Sequence, residues 1–100
     1  MFPEKEFMKR FEAILSELDA LAEREDDDTL DDLNAELEDA LFMLSQIRGD
    51  DEDAEEALAE TLEEIRALAG DYGALEVEGV GEVAARLSMA ADMALNNIGS

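Results

Sequence analysis

The chain has 100 residues, of which 29 are Asp or Glu and 7 are Lys or Arg, so its formal net charge is −22. That length supports one domain with a modest core, and a hydrophobic fraction of 47% argues against simple disorder. Because Cys and His are both absent, disulfides, thiolate nucleophiles, zinc knuckles and the usual near-neutral catalytic base are excluded.

The first half of the chain shows two segments of helical periodicity. Apolar residues recur every three or four positions over residues 3–25, which predicts a first amphipathic helix. The same spacing over 30–48 predicts a second helix, with Thr29 as its N-terminal cap and Gly49 as its stop. The acidic run 25–28 separates the two helices, because neighbouring like charges repel.

The second half contains two further helical segments and an interruption between them. A third helix is predicted over 54–69, with Asp53 and Glu56 as a capping box and Gly70 as its stop. Over 70–80 the helical period is lost, and we expect a loop with Tyr72 in a turn. A short alternation of apolar and polar residues within this segment leaves a strand as the alternative. The fourth helix is predicted over 81–98.

The number and length of these helices predict the fold class. Four helices with short connections favour an all-α, antiparallel four-helix bundle formed by residues 1–100 as a single acidic domain. The main alternative is a homodimer of helical hairpins in which two chains complete or extend the core.

The acidic residues are spread unevenly along the chain. Residues 26–53 carry a net charge of −11 and residues 54–78 carry −7, whereas 1–25 carry −3 and 79–100 carry −1. We therefore expect the outer faces of the second and third helices to form one negative, partner-binding surface. Its candidate residues are Asp26, Asp27, Asp28, Asp31, Asp32, Glu36, Glu38, Asp39, Glu52, Glu55, Glu56, Glu60, Glu63 and Glu64.

This charge pattern predicts a non-enzymatic binding protein. Acids four residues apart on a helix lie about 5–6 Å from each other, a spacing of the same order as that of phosphates along a nucleic-acid strand. We expect the surface to occlude the nucleic-acid-binding surface of a basic protein. In composition, though in no residue motif, the chain is similar to phage-encoded DNA mimics that inhibit restriction or CRISPR machinery, and to acidic immunity proteins that block nucleases. That similarity implies an inhibitor; adaptation to high salt and plain solubility are the alternative interpretations.

The fourth predicted helix is nearly uncharged and favours a second hypothesis. Ala85, Met89 and Met93 lie off its main apolar stripe, which suggests a self-association face in a homodimer or a helical adaptor module. Phe42 and Met43 likewise lie off the stripe of the second helix and offer another contact surface.

An enzymatic function would depend on carboxylates alone. Glu36 and Asp39 faintly resemble half of the carboxylate magnesium site of all-α nucleotide pyrophosphatases of the MazG type, but the other half is missing and both side chains are expected to point outward. The acidic runs also lack the glycine and glutamate spacing of an EF-hand loop. We therefore expect no catalytic residues, no metal, no cofactor, no direct nucleic-acid binding and no membrane association. In the absence of a signal-peptide pattern, a cytoplasmic location is expected, in the host cell if the protein is viral.

Overall fold

The computed structural model describes residues 4–47 and 53–98, with the backbone alone for residues 4, 5 and 98. The chain forms four helices within these ranges: α1 (Glu4–Glu25), α2 (Asp28–Gln46), α3 (Ala54–Ala74) and α4 (Val80–Ile98). The four predicted helices are confirmed, and residues 75–79 form a loop without a strand. Gly49 lies outside the described residues. No helix in the described ranges combines the length and the apolar character needed to cross a membrane.

The helices form a closed ring in which each one packs against two neighbours. The order around the ring is α1, α2, α3, α4, and α4 returns to pack against α1. Neighbours are antiparallel: Arg10 near the start of α1 contacts Met93 near the end of α4, and Arg24 at the end of α1 reaches Glu78 just before α4. The predicted antiparallel bundle is therefore confirmed, and the α2/α3 side lies opposite the α1/α4 side.

Most of the core consists of the periodic apolar positions on which the helix predictions rest. Phe11, Leu18, Leu37, Leu62 and Leu87 are all fully buried. Burial of one such side chain contributes about 1.5–3 kcal/mol relative to exposure. These contributions offset the repulsion between the many exposed carboxylates and hold the helices together.

The predicted end of the third helix is wrong. α3 continues to Ala74, so Gly70 does not stop it, Tyr72 is not in a turn, and the loop covers only 75–79. A glycine inside a helix costs about 1 kcal/mol relative to alanine. Tyr72 is fully buried in the extra turn, and the apolar area of a buried aromatic ring outweighs that cost.

The two ends of α2 and the cap of α3 also differ from prediction, and α2 ends at Gln46, two residues before its predicted end. α2 begins at Asp28, and its cap is Asp27 instead of Thr29: the Asp27 carboxylate accepts a 3.0 Å hydrogen bond from the Leu30 backbone N–H. Asp53 precedes α3 as predicted, but its side chain makes no capping hydrogen bond, so the expected capping box with Glu56 is absent.

Candidate acidic docking surface

The charge of the bundle is concentrated on one side because α2 and α3 are neighbours in the ring. α2 has six carboxylates and no base, and α3 has six carboxylates and one base, giving −11 for the pair. α1 has seven carboxylates and four bases and α4 has two carboxylates and one base, giving −4 for the opposite pair. Short connections make consecutive helices adjacent, so the charge partition along the sequence becomes a partition in space.

The structure exposes nearly all of the predicted site residues. Asp26 and Asp27 lie in the connection between α1 and α2, where Asp27 is half-buried by its capping role. Glu52 lies outside the described residues. The remaining predicted carboxylates are exposed on α2 or α3: Asp28, Asp31, Asp32, Glu36, Glu38, Asp39, Glu55, Glu56, Glu60, Glu63 and Glu64.

A shallow groove runs between α2 and α3 and brings some of these carboxylates together. Its volume is about 360 Å³. The apolar part consists of Ala40, Ala67, Leu68 and Met43, and the carboxylates beside it are Glu36, Asp39, Glu64 and Asp71. We call these eight residues the acidic groove. It combines an apolar floor with negative charge contributed by both helices.

Asp71 is a member of the acidic groove that the sequence reasoning missed. The sequence predicts a loop over 70–80, whereas Asp71 lies in the last turns of α3 and lines the groove with residues of α2. The available signal was the four-residue spacing from Leu68 to Tyr72, which continues the buried stripe two residues past Gly70.

A partly buried chain of hydrogen bonds fixes the relative position of the two acidic helices. The Tyr72 hydroxyl on α3 donates a 2.7 Å hydrogen bond to Asn34 Oδ1 on α2, and Asn34 Nδ2 donates to Asp19 Oδ1 on α1 at 3.2 Å. Burial, and then the negative charges of Asp19 and Glu36, raise the pKa of Tyr72 well above its ordinary value. The negative charge of Glu36, a carboxylate of the acidic groove, therefore also acts on this hydroxyl.

In the described parts of the chain, the arginines that form ion pairs between helices connect α3 to α4 and α4 to α1, and none connects α2 to α3. Arg66, the one base on α3, pairs with Asp92 on α4 at 3.1 Å, and Arg86 on α4 pairs with Glu17 on α1 at 2.7 Å. Arg24 pairs with its neighbour Glu25. Across residues 4–47 and 53–98, no ion pair involves an α2 carboxylate. Within those ranges, no base forms an ion pair with a carboxylate of the acidic groove.

Large apolar side chains are exposed on both sides of the molecule. Phe42 and Met43 on α2 are 65% and 54% exposed, and Met89 and Met93 on α4 are 64% and 46% exposed. Ala85 is exposed as well. Met43 belongs to the acidic groove, which gives that surface an apolar contact beside its carboxylates.

The carboxylate pair with a faint resemblance to a metal site lies in the same groove. Glu36 and Asp39 are exposed, as expected from their positions on the helix. In the parts of the chain that the structure describes, no group of three or more acidic side chains is arranged to hold a metal ion.

Comparison with known proteins identifies no relative: no protein-family model, no curated protein and no solved structure matches the chain.

Proposed function

We propose that the protein is a non-enzymatic acidic binding protein whose α2/α3 side docks on the nucleic-acid-binding surface of a basic protein and excludes nucleic acid from it. The observation that carries this proposal is the net charge of −11 on two neighbouring helices, against −4 on the opposite pair. A protein without a use for this field could relieve the repulsion with a few lysines on α2, and none is present.

The density of charge on this side supports competition with nucleic acid. α2 has 19 residues and is therefore about 28 Å long. Duplex DNA carries about 16 phosphate charges over that length. α2 and α3 together carry twelve carboxylates, which is a charge density of the same order. A surface that recognises phosphates through Lys and Arg would meet a comparable field here.

The acidic groove supplies a specific way to hold a basic side chain. Lys and Arg have apolar stems and charged ends. A stem can lie on Ala40 and Ala67 while the charged end meets the carboxylates on either side. Hydrogen bonds between a guanidinium and carboxylates are charge-assisted and stronger than neutral ones. The groove therefore offers more than a diffuse attraction.

Affinity capture with matched variants tests this proposal. The full chain is immobilised and incubated with a cell lysate at low salt. The proteins that the wild type retains are compared with those retained by two variants that have the same change in charge. The first replaces Glu36, Glu60 and Glu64 by Gln on the α2/α3 side; the control replaces Glu6, Glu12 and Glu23 by Gln on α1. All six positions are exposed.

The proposal expects the control to retain the same basic proteins as the wild type and the α2/α3 variant to lose them. Duplex DNA or RNA should release the retained proteins, because both ligands compete for one surface. Retention should also fall steeply as salt rises, since exposed charges are screened. Equal retention by both variants, or a ternary complex with nucleic acid, contradicts the proposal and favours acidity that serves only solubility.

A further inference from the structure

We propose that two copies of this chain associate through the groove between α1 and α4, around a two-fold axis, and leave both acidic sides facing outward. This inference does not depend on the proposed function. It concerns the side of the bundle opposite the acidic groove, and self-association requires no partner protein.

The α1/α4 groove consists of two depressions that share residues. The first has a volume of about 330 Å³ and the second about 390 Å³, and Glu17 and Arg86 line both. The first is largely apolar, and its apolar residues are Ala13, Ile14, Met89, Ala90 and Met93. The second extends the groove toward Arg24 and Gly79. The two depressions meet at the Glu17–Arg86 ion pair, which joins α1 and α4 at 2.7 Å, and both helices contribute to this concave face.

Two of the exposed large apolar side chains belong to this groove. Met89 is 64% exposed and Met93 is 46% exposed, although α4 already packs against α3 and α1. A single exposed apolar residue is common on a protein surface. Two methionines beside small alanines form an apolar face that adapts readily to another surface, since methionine is unbranched and flexible.

The charges along the groove point to a second copy as the occupant. Arg10, Arg24 and Arg86 are set against Glu17 and Glu82, so this face carries both signs in near balance. A surface of mixed sign can be placed against its own copy without accumulating like charge. A strongly basic partner would instead be attracted to the α2/α3 side, and an acidic partner would be repelled by the net charge of −22.

The repulsion between two such chains is small enough at physiological salt for this contact. The bundle is 20 × 19 Å in cross-section, so the acidic sides of two copies joined at their α1/α4 grooves lie far apart. Screening is strong beyond about 8 Å at physiological ionic strength. Added salt removes the remaining repulsion and leaves apolar burial intact. Self-association should therefore strengthen with salt, whereas binding of a basic partner should weaken.

Sedimentation equilibrium of the full chain tests the proposal, with circular dichroism to verify folding. We expect a dimer whose dissociation constant falls as NaCl is raised from about 50 to about 500 mM. Met89→Glu with Met93→Glu should weaken it about tenfold or more, and the matched pair Phe42→Glu with Met43→Glu should leave it within about twofold. A monomer at all concentrations, a dimer weakened by salt, or an equal effect of both pairs would overturn the proposal.

Cross-linking tests the symmetry of the contact. The chain contains no cysteine, so one introduced cysteine can form a disulfide only with its own copy. Either Met89→Cys or Met93→Cys should form a cross-linked dimer faster than Met43→Cys does. Equal or slower cross-linking from both α4 positions overturns the two-fold arrangement. Because no partner is present in either experiment, failure here leaves the proposed function intact.

Discussion

The hydroxyl of Tyr72 donates a 2.7 Å hydrogen bond to Asn34 across the buried contact between α3 and α2. Both side chains are almost completely buried, and Asn34 is one of two buried polar residues in the part of the chain that the structure describes. The bond lies next to the end of the acidic groove, where Glu36 and Asp71 come from the two helices. A polar pair in an apolar core favours one register of packing, since a shifted register would leave both groups without partners. This pair therefore aligns the carboxylates of the proposed docking surface.

A double-mutant cycle measures the strength of that pair. Tyr72→Phe and Asn34→Leu should each lower the free energy of unfolding by about 1–3 kcal/mol, because each leaves a buried polar group unsatisfied. The double variant should lose clearly less than the sum of the two, with a coupling energy on the order of 1 kcal/mol. Urea unfolding provides the measurement. Additive losses would show that the two side chains act independently.

The same tyrosine predicts a loss of stability at high pH. Its pKa is raised in the folded state, whereas in the unfolded chain it has the ordinary value of about 10. Above pH 10 the unfolded chain loses this proton while the folded chain retains it, so the free energy of unfolding falls as pH rises further. Below pH 10, Tyr72 is protonated in both states, and its full contribution to the free energy of unfolding is present.

Absorbance titration checks this prediction directly, because Tyr72 is the only tyrosine in the chain. Ionisation should be delayed in the folded protein and return to the ordinary range in urea. Tyr72→Phe is the matched control: its stability should fall less between pH 10 and 11 than that of the wild type. Identical pH profiles for both proteins contradict the assignment.

Gly79 closes the connection into α4 and should not tolerate a side chain. Its φ is +90°, and a Cβ added there would lie 3.3 Å from Leu21 Cδ2. Gly79→Ala should therefore lower the free energy of unfolding by about 1–3 kcal/mol. Gly73→Ala is the control, because Gly73 lies inside α3 and an added Cβ would meet nothing within 4 Å beyond the adjacent backbone of its own helix. That substitution should raise stability by about 0.5–1 kcal/mol. Thermal unfolding provides the measurement: the midpoint temperature should fall for Gly79→Ala and rise for Gly73→Ala. A change in the same direction for both variants would be inconsistent with this geometry.

The two aspartates that precede α2 and α3 should differ in their effect on stability. Asp27→Ala should cost about 1 kcal/mol, since its carboxylate accepts a hydrogen bond from the free Leu30 N–H. Asp53→Ala should lower the free energy of unfolding by only a few tenths of a kcal/mol, because the Asp53 side chain makes no such hydrogen bond. Denaturant unfolding of the two variants under identical conditions provides the comparison. Equal losses would contradict the assignment of the cap.

The sequence allowed the fold to be predicted well because the apolar spacing of each helix is regular. Phe11, Leu37, Ile65 and Leu87, all on the predicted stripes, are fully buried. The end of α3 was predicted wrongly because local signals and tertiary packing disagree there. Glycine lowers helix propensity locally, while burial of Tyr72 depends on contacts that the chain makes only after folding.

Only part of the candidate site could be predicted in the same way. The uneven charge follows from counting residues, and the exposure of Glu36, Asp39 and Glu64 follows from their angle to the apolar stripe. The acidic groove could not be predicted from the sequence, because its position depends on which flank of α2 packs against α3. The burial of Asn34 was not predicted either, since its partners Tyr72 and Asp19 lie 38 and 15 residues away.

We propose that a basic partner docks where the negative charge is concentrated, on the α2/α3 side. The most direct measurement is a map of backbone amide chemical shifts of the labelled full chain, recorded with a basic protein retained in the capture experiment and repeated after addition of duplex DNA. We expect shifts concentrated on α2 and α3 around Glu36, Asp39, Glu64 and Asp71, and we expect them to reverse when DNA displaces the chain. Shifts centred on the α1/α4 groove, or shifts that persist while the partner holds DNA, would contradict it.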